Sequence, residues 1–103
     1  MLKKIQNFKS CIHEQRYYDA HEALEEVWFP RRFEKSSEVQ LLKGFINAAV
    51  SFELHKRGRV VQSKKVWGNY LKYRPLLQRV TEYKNDFHRL SRYIESINNK
   101  KHH

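Results

Sequence analysis

Residues that bend or stop a helix are scarce in this chain, and so are cysteine and long apolar runs. Its 103 residues include 3 glycines, 2 prolines and 1 cysteine. So few breakers, beside abundant Leu, Glu, Lys, Arg and Gln, predict a mostly helical protein. The single cysteine, Cys11, excludes an internal disulfide and a thiolate zinc cage. It borders an apolar stripe and reads as a small packed side chain rather than a nucleophile. No apolar run approaches the roughly 18 residues that cross a bilayer. The opening MLKKIQNFKSCIHE has lysines but neither a continuous apolar stretch nor a small-residue cleavage site, so it does not read as a signal peptide. These absences point to a cytoplasmic protein without membrane contact. A glycine-rich loop, an alternating strand pattern and an internal repeat are absent too.

Acidic residues run short in the second half. Residues 1–55 hold 8 Lys and Arg against 8 Asp and Glu, whereas residues 56–103 hold 13 against 3, so the second half carries the whole net charge of +10. Such asymmetry suits an anionic partner, nucleic acid or an acidic protein, although basic residues also serve plain solubility.

What is present is apolar spacing of the helical kind. A chain this short forms one domain with one core. The first helix is expected from about Leu2 to Glu14, with Leu2, Ile5, Phe8 and Ile12 on one stripe. The second starts near Tyr17, buries Tyr17, Ala20, Leu24, Val27 and Trp28, and stops at Pro30. Ser37 with Gln40 matches a capping box, so the third helix is expected to begin there. That helix is apolar around most of its circumference, which places it in the middle of a bundle. Its exception is a strip of small or polar residues, Gly44, Asn47, Ser51 and His55, which helical spacing puts on one side.

Gly58 turns the chain into a fourth helix expected to bury Val60, Trp67, Tyr70 and Leu71. Pro75 starts a further helical segment. Asn85 and Asp86 cap a last helix with Phe87, Leu90, Ile94 and Ile97 inward. The expected architecture is an all-α, single-domain, up-and-down bundle of about five helices over residues 1–98. Residues 99–103 are expected to form a disordered basic tail, whose His102 and His103 read equally as native residues or a tag remnant.

The stretch YYDAHEALEEVWFP holds the candidate site. At 100° per residue Tyr17, His21, Leu24 and Trp28 share a face, Glu25 borders it, and Glu22 and Glu26 turn toward solvent. His21 is therefore expected centrally on the buried side, where an imidazole needs partners, and Glu25 one turn on is placed to orient it. If the strip of the third helix faces this point, Asn47, Ser51 and His55 join the cluster. His21 and Glu25 at i,i+4 are candidate ligands for a divalent metal such as zinc, manganese or iron, with Glu22 and His55 behind them. HEALE, however, lacks the second histidine of a zinc-protease helix, and no paired E-x-x-H motifs suggest a di-iron bundle. The plainer reading is a satisfied core histidine that holds two helices in register.

The stretch HKRGRVVQSKKVWGNYLKYRP interleaves Arg57, Arg59, Lys64, Lys65, Lys72 and Arg74 with Trp67, Tyr70 and Tyr73, a pattern that suits single-stranded nucleic acid. Trp67 and Tyr70 fall on the helix's own apolar face, which leaves those cations without a stacking platform.

Together, YYDAHEALEEVW, LLKGFINAAVSF and Arg57-Gly58 resemble domain-of-unknown-function family 309, small bacterial proteins, over about Tyr17 to Leu71. The most specific piece is A-H-E-x-x-E-x-x-W at Ala20, His21, Glu22, Glu25 and Trp28, supported by Lys43, Gly44 and Ile46. Asn47 stands where the family usually has glutamine, and Arg59 where asparagine is common. The resemblance implies an all-helical bundle, keeps His21, Glu22, Glu25 and Trp28 together, and implies no established activity.

Three functional readings follow, in this order. The first is a non-enzymatic helical domain whose His21–Glu25 cluster holds a metal ion or small ligand. The second is a basic module that contacts nucleic acid or an acidic protein. The third is a metal-assisted hydrolase. An exposed remainder of the apolar third helix would favour a homodimer.

Overall fold

Turn chemistry fixes where the helices stop. In the computed structural model, which describes residues 1–101, α1 (Leu2–His13) and α3 (Ser37–Lys56) end alike. Arg16 N donates to Cys11 O and Gln15 N to Ile12 O; Arg59 N donates to Leu54 O and Gly58 N to His55 O. Both are Schellman closures, which need a left-handed residue just past the helix. Gly58 supplies it at φ 80°, whereas Gln15 takes φ 60° despite its side chain. Lys56 Nζ steadies the Gln15 turn by donating to its carbonyl at 3.2 Å.

The two prolines tighten helices rather than ending them outright. α2 (Tyr17–Trp28) passes into a 3-10 turn, Phe29–Arg31, and α4 (Val60–Tyr73) into a longer one, Arg74–Gln78, each with its proline in the first turn. α5 (Lys84–Lys101) completes the chain. Among the described residues there is no strand, and no helix is long and apolar enough to cross a membrane.

Several expectations about ends and faces are corrected. The cap of α3 is Ser36, whose hydroxyl accepts from Val39 N at 3.3 Å, while Gln40 donates to Lys35 O instead of closing a capping box from Ser37. Asn85 and Asp86 lie inside the first turn of α5 rather than capping it. α5 also continues through Asn99, Lys100 and Lys101, residues expected in a disordered tail; His102 and His103 lie outside the described residues. The Lys101 ammonium sits 5.2 Å from the Tyr17 ring centroid and 5.6 Å from that of Phe52, which ties the helix end down. Leu2 on α1 is exposed, as are Val60 and Leu71 on α4, whose buried line includes Ser63 instead.

α3 is the central helix, as its all-round apolarity required. Phe45 on it meets Phe8, Tyr70 and Phe87 at ring-centroid distances of 6.3, 5.7 and 6.0 Å. Phe52 meets Tyr17 at 5.5 Å and Trp67 at 5.9 Å. α2 and α4 pack on different sides of it, and α1 bridges α2 and α5.

A polar knot fastens α5 to α4. Glu95 Oε2 accepts from Tyr70 Oη at 2.8 Å, Arg74 Nε at 2.8 Å and Ser91 Oγ at 2.6 Å. Burial works to raise the Glu95 carboxyl, but these donors and the Arg74 charge outweigh it and hold it below the ordinary value of 4.5. Glu38 is held low as well, chiefly by the Thr81 N–H, with Glu82 N–H assisting. A carboxyl lowered by folding adds stability above its unfolded value and loses it as pH falls through the folded one. Stability is thus expected to decline below about pH 4.5, and Glu95→Gln or Glu38→Gln to flatten that decline. Urea midpoints at stepped pH measure it; parallel curves for wild type and both variants would count against these carboxylates as the acid-sensitive groups.

Candidate functional site

The candidate site lies where α2 crosses one side of α3. Tyr17, Ala20 and Leu24 form the buried line of α2, as its apolar spacing required, with Val27 and Trp28 partly buried against the core. His21 stands at the rim rather than at the centre of the core, with 25% of its side chain exposed. Its Nε2 lies 2.6 Å from Glu25 Oε2. Nδ1 is the ring's other polar atom. The Tyr18 ring lies 5.9 Å from the imidazole, and its hydroxyl donates to Glu22, which raises the phenol's pKa. Glu26 accepts from Lys4 Nζ at 2.5 Å and so belongs to the α1–α2 contact.

Beside His21 a slot of about 270 Å³ opens between the two helices, walled by Tyr17, Tyr18, Val50 and Leu54. The Glu53–Arg57 pair, 3.0 Å between Oε1 and Nε, completes its lining. Val50 and Leu54 are the half-buried remainder of the apolar third helix, and they line this groove. The sequence reading did not single out Tyr18, Val50, Glu53 and Leu54 as site residues. Their signal was faint: two aliphatic residues four apart on a helix with more apolar surface than one core face uses.

Gly44, Asn47 and Ser51 of the small-polar strip of α3 do not join His21. They lie roughly a third of a turn away around the helix axis and face α4. Ser51 Oγ donates to Ser63 O and Ser63 Oγ to Ser51 O, both at 2.7 Å. Asn69 Nδ2 donates to Asn47 Oδ1 at 3.2 Å. A Cβ on Gly44 would lie 2.9 Å from Tyr73 Cβ. Gly44, Asn47 and Ser51 therefore form a close-approach seam between helices. His55, half-buried on α3, sits one turn past Ser51 on this strip. Trp28 is half-buried against the core, with Lys43 Nζ 4.3 Å over its ring. His21, Glu22 and Glu25 share one surface with Tyr18 and Glu26.

This bears on the expected metal. A structural zinc takes four protein ligands and a catalytic one three. Among the described residues, no three His, Cys, Asp or Glu side chains converge to hold an ion. His21 and Glu25 supply two donor groups, with Nε2 and Oε2 2.6 Å apart.

The expected basic surface is partly consumed by internal pairing. Arg57 is held by Glu53 and Arg74 by Glu95, while Lys72 lies 5.5 Å over the Tyr73 ring. Trp67 and Tyr70 pack together at 4.6 Å as core. Arg59, Lys64 and Lys65 remain exposed without an acidic partner among the described residues. Lys84, Arg89 and Arg92 on α5, which sequence reasoning did not single out, border a shallow concavity with Asn85 and His88.

Fold and site together define an all-α helical bundle with a His–Glu pair beside an interhelical slot. The chain belongs to the family described as domain of unknown function 309, whose model matches residues 5–66, from α1 into α4. No curated protein and no solved structure matches the chain.

Proposed function

We propose that the chain is a small-ligand-binding domain, with the α2–α3 slot as its pocket and His21 as its recognition residue. The observation that carries this reading is the position of His21, which borders both the apolar slot and the acidic shelf of Tyr18, Glu22, Glu25 and Glu26. An apolar groove next to carboxylates suits a small organic amine: the hydrocarbon body enters between Tyr18, Val50 and Leu54, and the ammonium meets Glu22 and Glu25. The slot is smaller than the usual ligand pocket of about 300–1,000 Å³, so the ligand is small and its affinity modest.

The test is a titration of wild type and His21→Ala with aliphatic and aromatic amines, matched carboxylates and divalent metals. Backbone amide shifts and the thermal midpoint are the readouts. Amine-specific shifts at Tyr18, Val50 and Leu54, absent in the variant, are expected. A response confined to metals, or no response while His21→Ala is merely less stable, would sink the amine site and leave the pair as a metal ligand set or a staple respectively.

A second reading is a module that binds an anionic macromolecule. It is favoured by the cations on α4 and α5 that lack acidic partners, in a chain of net charge +10. Retention on a polyanion matrix, released by moderate salt, is its test.

A further inference from the structure

The sequence offered cations without a stacking platform, but the fold provides one elsewhere. Phe29 and Phe33 are 52% and 83% exposed, unusual for such large apolar side chains. The Arg32 guanidinium carbon lies 3.8 Å from the Phe29 ring centroid and 4.5 Å from that of Phe33, so one cation lies over both rings. Arg32 also donates to Phe29 O at 2.7 Å, and Arg31 is clamped to Glu34 by two hydrogen bonds. The hook is thereby held in shape with its outer ring open to solvent.

This hook lies at the same end of the bundle as the start of α5. Glu38, two residues past the α3 cap, accepts from Thr81 N at 3.0 Å and Glu82 N at 3.3 Å. The Glu82 and Glu38 carboxylates are also close enough to Arg31 to stabilise its charge. The loop that Glu38 holds leads through the partly exposed Tyr83 into Lys84, and Arg89 and Arg92 follow on α5. Of the carboxylates at this end, Glu34 is occupied by Arg31 and Glu38 by the backbone, while Glu82 and Asp86 stand beside Lys84; Lys84, Arg89 and Arg92 form no ion pair among the described residues.

We infer that this end of the bundle, Phe29–Arg32–Phe33 together with Lys84, Arg89 and Arg92, docks single-stranded nucleic acid. The proposal rests on the anion-binding reading and specifies its partner. Single strands expose bases that stack on open aromatic or guanidinium faces while cations follow the phosphates, and this end supplies both parts. A duplex keeps its bases stacked inside and has no use for the hook. An acidic protein would use the cations and leave Phe33 idle.

Fluorescence anisotropy of a labelled, mixed-sequence single-stranded oligonucleotide tests this with the full chain, Phe33→Ala, and Arg89→Ala combined with Arg92→Ala. The same oligonucleotide as a duplex and polyglutamate serve as competitors, and circular dichroism confirms that the variants fold. Phe33→Ala is expected to weaken single-strand binding at least about fivefold without changing its salt dependence. The double arginine variant is expected to reduce the slope of log K against log salt by roughly 1.4. Equal competition by duplex with Phe33→Ala silent would overturn the single-strand inference while the anion-binding reading survives. Preferential displacement by polyglutamate would replace it with an acidic protein partner. No binding to any polyanion would remove both the inference and the reading beneath it.

Discussion

Phe45→Ala is expected to be the most damaging single truncation in this protein. The side chain is fully buried at the middle of the central helix and contacts rings from α1, α4 and α5. Truncation removes its transfer free energy and leaves a cavity that three rigid aromatic neighbours close poorly, a loss of about 3–5 kcal/mol. Small domains have roughly 5–15 kcal/mol in total, so the variant is expected to be marginal at 37 °C. In urea its midpoint should fall by about 2 M. Phe33→Ala, at an 83% exposed position, is the contrast and is expected to stay within about 0.5 kcal/mol of wild type. A loss under 1 kcal/mol for Phe45→Ala would mean that the core does not centre on this residue.

Gly44→Ala and Gly68→Ala are expected to change stability in opposite directions. Both glycines lie inside helices, where alanine is intrinsically better by about 1 kcal/mol. By helix propensity alone, both replacements stabilise. At Gly68 nothing lies within 4 Å of an added Cβ, so the gain of about 0.5–1 kcal/mol is realised. At Gly44 the new atom falls 2.9 Å from Tyr73 Cβ. A Cβ moves only with its backbone, so α4 itself must shift, and the shift strains the Ser51–Ser63 bonds and the Asn47–Asn69 bond along the same seam. Overpacking of this kind costs about 1–3 kcal/mol, and a contact with no flexible end to give way belongs near the top of that range. Denaturant unfolding of the pair settles the matter: a stabilised Gly44→Ala would show that the seam is looser than its distances indicate.

The same seam shows how the strip of α3 could be seen in sequence and misassigned. Its spacing told that Gly44, Asn47, Ser51 and His55 share a side, because a helix converts spacing into direction. Spacing does not say which neighbour occupies that side. The fold sets α4 there, in contact through Ser63 and Tyr73, and gives His21 the other flank with Val50 and Leu54. His21 and Glu25 were legible as a pair because i,i+4 is a local distance; whether they would be buried depended on the rotation of α2, which Tyr17, Ala20 and Leu24 decide by packing.

What the sequence determined by itself was therefore local. It comprised the number and order of the helices, the turn at Gly58, the helical segment at Pro75, the central place of α3 and the His21–Glu25 contact. Each rests on interactions within a few residues, or on an apolar periodicity that leaves only one burial solution. The tertiary structure decided the rest: the cap at Ser36, the exposure of Val60 and Leu71, the anchoring of Lys101, the α2–α3 slot and the Phe29–Arg32–Phe33 hook beside α5. These features depend on how far each helix is rotated and how closely it approaches its neighbours. Contacts between residues far apart in the chain set both quantities, and no local pattern records them.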